Sequence, residues 1–272
     1  PAAQPPPLRY AVLSVLQLRE VSAAPWGRPL LSGIELSLDA GEVLGIAGPN
    51  GAGKSSLLKT ITGEVPLDGG ELLLGGQPLG TISRAERARQ LACLPQLSLL
   101  NFPYTVEEVV SLGRIPHDTG LAVDTAVARE VMQATDTLPL AERLYTRLSG
   151  GERQRVQLAR ILAQVWGPGS PPARLLLLDE PTSALDLAHQ QLLAATVRRL
   201  ADSGCAVVLV VHDLNLMAGL ADRVAVLAQG RLAAEGKPGE VLTEALFQEV
   251  FGVEVTVGLH PDLQQPVILN RH

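Results

Sequence analysis

The sequence is poor in aromatic side chains, with two Trp, three Tyr and three Phe among 272 residues. Its core must therefore be assembled from Leu, Val, Ile and Ala. Cysteine is scarce as well. Cys93 and Cys205 lack the paired spacing of a metal site, and two thiols cannot build a disulfide framework. They read as inert interior thiols in a reducing compartment. Long apolar runs are missing. Runs such as Leu175–Leu178 and Cys205–Val211 fall far short of the ~18–20 residues that a membrane span requires. Any membrane role is thus expected to come through a partner. There is no excess of positive charge: 22 Lys and Arg against 28 Asp and Glu leave a net charge of −6. That balance disfavours a broad nucleic-acid-binding face. Lysine occurs only at positions 54, 59 and 237. Residues 1–10 lack the basic-then-apolar order of a secretory signal, and residues 1–7 read as a loose Pro/Ala tail before one domain over 8–272.

What is present suits a folded α/β domain: 46% apolar and 18% charged residues. Val12–Leu18 and Ile34–Leu38 are short alternating segments bounded by turn residues, as in strands. Val43–Ala47 is a continuous apolar run ending at Gly48, as expected of a strand buried on both faces. A helix is expected over Lys54–Thr62, stopped by Gly63, and then a strand at Glu71–Leu74. From about Ser83 to Ala163 the pattern reads as helical. Leu175–Leu178, Ala206–Val211 and Val224–Leu227 return to buried-strand texture, and Val253–Val257 with Val267–Leu269 suggests a terminal hairpin. Alternating β and α segments predict a mainly parallel sheet with helices on both faces.

Gly48-Pro49-Asn50-Gly51-Ala52-Gly53-Lys54-Ser55 is a G-x-x-x-x-G-K-[ST] sequence between a buried strand and a helix. Glycines let backbone N–H groups curl around phosphate oxygens, and the helix start favours an anion. Lys54 would reach the β- and γ-phosphates, and Ser55 would ligate Mg²⁺. The run Leu175–Leu178 leads into Asp179 and Glu180 at a strand's carboxyl end, where ligands of open α/β sheets sit. Asp179 could hold the metal, and Glu180, pointing elsewhere, could polarise a water. Ser149-Gly150-Gly151-Glu152 has two readings. It is a good capping box for a helix that buries positions 158, 159, 162, 165 and 166, and it also exposes N–H groups that can bind phosphate.

The ordered set of these motifs resembles the ATP-binding subunits of ABC (ATP-binding cassette) transporters over about residues 8–250. Gly48–Ser55 is similar to Walker A, and Leu94-Pro95-Gln96 to the Q-loop. Leu148–Glu152 is similar to the LSGGQ signature, with Glu152 where Gln is common. Leu175–Glu180 resembles Walker B, Ser183–Asp186 the D-loop, and His212-Asp213 the switch histidine. The resemblance implies a P-loop NTPase (RecA-like) core, an N-terminal antiparallel β subdomain and a helical subdomain inserted at about 97–157. It implies that Gly48, Asn50, Gly51, Ala52, Gly53, Lys54, Ser55 and Ser56 form the ATP-binding loop. Ser55, Gln96 and Asp179 would serve Mg²⁺, with Glu180 as catalytic carboxylate and Gln96 and His212 beside the γ-phosphate. Ser149, Gly150 and Gly151 would bind ATP held by a second copy of the chain, with Asp186 at that dimer interface. Trp26 would stack on adenine; read without the family it is a packing aromatic.

Within the family the chain is most similar to the importer branch for iron–siderophores, cobalamin and haem, and there to haemin-import subunits. Leu94–Phe102, Pro103–Val110, Leu112-Gly113-Arg114, Arg160–Trp166 and His212–Leu216 carry that likeness. It implies integral-membrane permease partners, a periplasmic or surface substrate-binding protein reached indirectly, and a place at the cytoplasmic face of the bacterial inner membrane. No nucleic-acid partner is implied. The segment 97–115 is the candidate permease-docking surface. Two other readings carry less: a soluble ABC ATPase acting on ribosomes or DNA, and a P-loop kinase, which leaves Leu148–Glu152 and His212 unexplained. His117, His189, His260 and His272 are expected to be ordinary surface or loop residues. The Arg-rich stretches 84–89 and 143–160 are expected to be solvated helix faces.

Overall fold

A computed structural model describes residues 14–96, 100, 102–167, 170–171, 173–263 and 265–271; of Trp26 it describes the backbone alone. The tail 1–7, Val12 and His272 lie outside those residues, as do 97–99 and 101 of the candidate docking segment.

The first strands are β1 (Ser14–Ala23), β2 (Leu31–Asp39) and β3 (Val43–Ala47), followed by helix α1 (Lys54–Ile61). Strands β4 (Gly69–Leu74) and β5 (Gln77–Pro78), helix α2 (Arg84–Gln90) and strand β6 (Leu91–Leu94) come next. Helices α3 (Val106–Ser111), α4 (Leu121–Ala134) and α5 (Gly150–Val165) precede β7 (Leu175–Asp179). Then follow α6 (Leu187–Asp202), β8 (Ala206–Val210), α7 (Leu214–Leu220), β9 (Arg223–Ala228) and β10 (Arg231–Gly236). Strands β11 (Val255–Leu259) and β12 (Pro266–Asn270) close the chain as the expected hairpin.

The main sheet has the order β10-β9-β3-β8-β7-β6. Every neighbouring pair in it is parallel except β9 with β10. A second, antiparallel sheet has the order β2-β1-β4-β5. This is the α/β P-loop NTPase architecture, with its parallel core and its antiparallel N-terminal sheet.

Successive strand residues point to opposite faces, and both faces of the parallel sheet are apolar. Leu44, Ile46, Leu175, Leu177 and Val208 pack with α1 and the antiparallel sheet. Val43, Ala47, Leu176, Leu178, Val207 and Leu209 pack on the other side with α5, α6 and α7. The five residues of each of β3, β7 and β8 are all buried. Two cores thus share one sheet, and its carboxyl edge is held rigid between them.

Two sequence expectations change. The helical stretch from Ser83 to Ala163 contains β6, a four-residue strand at the edge of the parallel sheet. Leu91–Leu94 takes extended backbone because Leu91 to Leu94 pair with Leu175 to Leu178 of β7, an outcome of tertiary pairing that local pattern does not carry. The Arg-rich stretch 143–160 is not a solvated face throughout. Arg155 is nearly buried against Asp136 at 2.8 Å, and Arg160 donates to Gln157 Oε1 at 2.8 Å. Residues 158, 159, 162, 165 and 166 are buried as expected.

Candidate nucleotide site

The parallel strands β3, β7 and β8 end at one edge, and the loops leaving them carry the chemistry. After β3 the chain enters the phosphate loop. Gly48 has φ +145°, and a Cβ there would lie 2.3 Å from the carbonyl oxygen of Leu227. Only glycine fits between the loop and β9. Gly53 is left-handed at φ 108° and opens α1, whose first helical residue is Lys54. The Lys54 ammonium folds back over the loop, donating to the carbonyls of Gly48 at 2.7 Å and Pro49 at 3.0 Å. Burial pulls its pKa below the usual lysine range, against the attraction of Glu180 and Asp179. An ammonium bonded only to carbonyls of its own loop is poised to exchange them for a polyanion.

After β7 the two carboxylates part. Asp179 is buried within the strand end, and its Oδ1 has no hydrogen-bond partner. Burial pushes its carboxyl above the ordinary aspartate value, opposed by the Ser55 hydroxyl beside it. Glu180 leaves the strand with φ +52°, an uncommon value for a residue with a Cβ. Its N–H still donates to Val210 O of β8 at 2.9 Å. The turn aims its carboxylate into the cleft, where Gln96 Nε2 donates to Oε2 at 2.9 Å and His212 Nε2 lies 2.7 Å from Oε1. Gln96 follows β6 and His212 follows β8, so residues 96, 180 and 212 meet because their strands are parallel neighbours.

A cleft of about 610 Å³ runs along this edge, lined by the phosphate loop from Asn50 to Ser56, Gln96 and Glu180. Pro29, Leu30, Gln229 and Gly230 complete its wall, and sequence reasoning missed all four. The Gln229-Gly230 turn has positive φ at both residues, and the glycine is the one trace of it in the sequence. Trp26 lies in the short turn Pro25–Gly27, three residues before Pro29 of that wall. A smaller cavity of about 290 Å³ joins Ser55, Gln96 and Asp179 to Lys59, Thr62 and Cys93.

Ser149, Gly150, Gly151 and Asp186 do not line either space. Ser149 caps α5 in a full capping box: its Oγ accepts from Glu152 N at 3.3 Å, and Glu152 Oε2 accepts from Ser149 N at 2.8 Å. The glutamate in place of glutamine thus serves the cap. Gly151 lies against the D-loop, where a Cβ would stand 2.9 Å from Ala184 O. Asp186 caps α6, accepting from the backbone N–H of His189 at 2.9 Å. Both helix starts thus carry their own side-chain caps and stand outside the space lined by this chain's Lys54 loop.

Two histidines expected to be ordinary are tied into the fold. His189 meets Asp186 through Nδ1 at 2.7 Å and Arg155 through Nε2. His117 bonds the carbonyl of Gln164 at 2.8 Å. His260 accepts from the N–H groups of Asp262 and Leu263 in the terminal hairpin turn. Burial pushes the thiols of Cys93 and Cys205 up to about 12, which fits unreactive interior residues.

The family model described as ABC transporter matches residues 31–183, which takes in the phosphate loop, Gln96, the Ser149 helix and both carboxylates. The chain belongs to the ABC transporter family. A hemin import ATP-binding protein HmuV from Pseudomonas fluorescens is 49% identical over 94% of this chain and all of that protein. One of the same name from Myxococcus xanthus is 49% identical over 88% of this chain and 90% of that protein. Among solved structures, the ADP conformation of MJ1267, an ATP-binding cassette of an ABC transporter, superposes with a TM-score of 0.73. That likeness covers 88% of this chain and 97% of the other at 22% identity, and shows the fold alone. The cassette binds ATP and hydrolyses it to drive transport. It works as one of a pair on membrane permease subunits. Among its described residues no helix is long and apolar enough to cross a membrane.

Proposed function

We propose that the cassette powers a bacterial importer for haem, bound to the cytoplasmic face of the inner membrane. The observation that carries this reading is the 49% identity to a hemin import ATP-binding protein along its whole length. A periplasmic or surface binding protein delivers cargo to the permease, and the cassette meets it only through that permease. The helical segment inserted at about 97–157 turns on the parallel core as a unit, and Phe102, Tyr104 and Ile115 on it dock the permease. These residues are 61%, 42% and 73% exposed, and the Phe102 and Tyr104 rings lie side by side with centroids 6.0 Å apart.

The residues at the cleft support the following roles. The N–H groups of 50–56 and the Lys54 ammonium hold the phosphates of ATP. Glu180 takes the proton of the attacking water, and Gln96 and His212 hold its carboxylate in place. In the closed state His212 turns its Nε2–H toward the γ-phosphate oxygens. Ser149, Gly150 and Gly151 of one copy close on the ATP of the other, with Asp186 at the seam. Trp26 stacks on the adenine.

The site also suits Mg²⁺. Asp179 Oδ1 is buried without a partner, next to the Ser55 hydroxyl and near Gln96. A cation held by Ser55, Gln96 and Asp179 would neutralise charge on the β- and γ-phosphates.

The test is affinity purification of the tagged cassette from native membranes, then reconstitution of whatever permease follows it with its binding protein. ATP hydrolysis stimulated by haem supports the reading. Stimulation by an iron–siderophore or cobalamin instead would keep the mechanism and change the cargo. Recovery of ribosomal or DNA-repair partners without a membrane protein would overturn the importer.

A further inference from the structure

One stretch of chain, residues 104–117, pairs with the segment that leads into α5 and caps the helix's far end. On the approach to Ser149, Tyr145 N donates to Tyr104 O at 2.8 Å, Val106 N to Arg143 O at 3.0 Å and Glu107 N to Ala141 O at 3.0 Å. Thr105 and Leu144 pair as an antiparallel bridge. In the middle, Gly113 lies flush on the helix: a Cβ there would sit 2.0 Å from Arg160 O.

At the far end the helix leaves its last carbonyls without intrahelical donors. Here side chains supply them. Arg114, only 3% exposed, donates through Nη1 to Ala163 O at 2.9 Å and Trp166 O at 3.2 Å. His117 Nε2 donates to Gln164 O at 2.8 Å, and Arg174 Nη1 to Val165 O at 2.8 Å. The other edges of the Arg114 fork reach Asp124 at 2.9 Å and Thr119 at 3.0 Å.

A buried guanidinium is a costly way to end a helix, since its desolvation must be offset by nearly complete hydrogen bonding. A glycine cap or a solvated lysine would do the same at the surface for less. What the buried fork adds is rigidity, because its planar donors fix direction as well as distance. Burial also holds the His117 pKa below the usual histidine value, against the opposing pull of its bond to Gln164 O.

We infer that Arg114 and His117 are positioning residues that lock α5 to the 104–117 strap, so that displacement of Tyr104 and Ile115 carries Ser149–Gly151 with it. The inference rests on the reading of 102–115 as the docking face and of the α5 start as the part that grips nucleotide. It gives that docking face a defined lever, anchored to residues 141–145 ahead of Ser149 by backbone pairing and to the carbonyls of 163, 164 and 166 by two side chains, Arg114 and His117.

The experiment uses the full chain carrying Arg114→Lys, which keeps the charge and loses the fork. Amide hydrogen exchange is read at Glu152–Arg155, at the opposite end of α5 from the substitution. Exchange there should rise at least about fivefold, the low end of ordinary coupling between sites, while β3 and β8 amides hold their rates. A rise confined to 113–124 and 162–166 overturns the inference, because a purely local role does just that. If Arg114→Lys does not fold, His117→Ala, which removes a single carbonyl cap, takes its place with the same two outcomes. With the permease reconstituted, the ratio of stimulated to basal ATP hydrolysis should fall at least about fivefold, with KM for ATP within about twofold of wild type. An unchanged ratio also overturns the inference. A wild-type cassette that no permease stimulates refutes the docking reading instead, and the exchange at Glu152–Arg155 still decides the lock.

Discussion

His212 Nε2 stands 2.7 Å from Glu180 Oε1, although 32 positions separate them in the sequence and neither lies in a regular element. Gln96 takes the other oxygen at 2.9 Å. The carboxylate is thus held between two side chains from flanking loops, with one face left to the cleft. In this state both of its oxygens are occupied, and the base role proposed for it requires one of these contacts to open.

Glu180→Gln keeps the size of the side chain and removes its ability to take a proton. Turnover should fall by about 10²–10⁴-fold, the ordinary share of a positioned general base. ATP binding should persist, and an ATP-dependent dimer should accumulate. Phosphate release and light scattering check the two halves. Hydrolysis at the wild-type rate removes Glu180 from its assigned role.

Ser149→Ala and Glu152→Ala separate capping from nucleotide contact. Each removes half of the capping box, worth about 1 kcal/mol, or roughly 2–4 °C of melting temperature in a chain of this size. Only Ser149→Ala deletes a hydroxyl assigned to ATP. It should depress turnover well beyond Glu152→Ala at matched stability. Equal losses in the two variants would reduce Ser149 to a cap.

Asp179 sets stability against function. Burial raises its folded pKa above that of the unfolded chain. The folded protein therefore keeps this proton longer, and the group favours folding at acid pH. That contribution is complete below the unfolded aspartate value and is lost as pH rises through the raised value. Asp179→Asn should thus melt higher than wild type at neutral pH without nucleotide, and gain less stability when Mg²⁺ and ATP are added. A variant that melts lower at neutral pH would contradict the burial argument.

Gly48→Ala places a Cβ against Leu227 O at a φ reserved for glycine. Either the loop or β9 must shift, at a cost of about 1–3 kcal/mol. If the strain falls on the nucleotide-binding loop, ATP affinity should drop at least about fivefold, since each ~1.4 kcal/mol is a factor of ten. Nucleotide titration beside urea unfolding measures both.

Both thiols should resist reagents in the native state. With pKa values pushed up to about 12, Cys93 and Cys205 carry almost no thiolate near neutral pH. A colorimetric disulfide reagent at pH 8 should label neither promptly in the native chain, and both after unfolding. Rapid native labelling of Cys93 would show that the cavity beside Asp179 is open to reagents.

Much of the site was legible because its parts are short and locally determined. Gly48–Ser55 needs glycines at fixed offsets for its backbone, and Ser149 with Glu152 is a cap whatever surrounds it. The buried runs 43–47, 175–178 and 206–211 could be read as strands from composition alone. The strand at Leu91–Leu94 could not. Four residues after an Arg-rich helix have no period of their own, and pairing with Leu175–Leu178 makes them extended. Leu30 and Gly230 escaped notice for a similar reason. They reach the cleft because Gly230 packs against Leu30, a contact across 200 positions.

The sequence by itself determined the kinds of chemistry available: a loop that must curl, a lysine among few, two adjacent carboxyls and helix starts that expose N–H groups. These depend on the covalent preferences of a few neighbouring residues, and so they survive without a fold. Only the tertiary structure decided which of them meet. Parallel order brings the ends of β6, β7 and β8 to one edge and puts Gln96, Glu180 and His212 in contact. It also leaves the start of α5 outside the cleft lined by this chain's own phosphate loop, and it buries Arg114 at that helix's other end. Strand order and burial arise from long-range packing of apolar faces, which no local window contains.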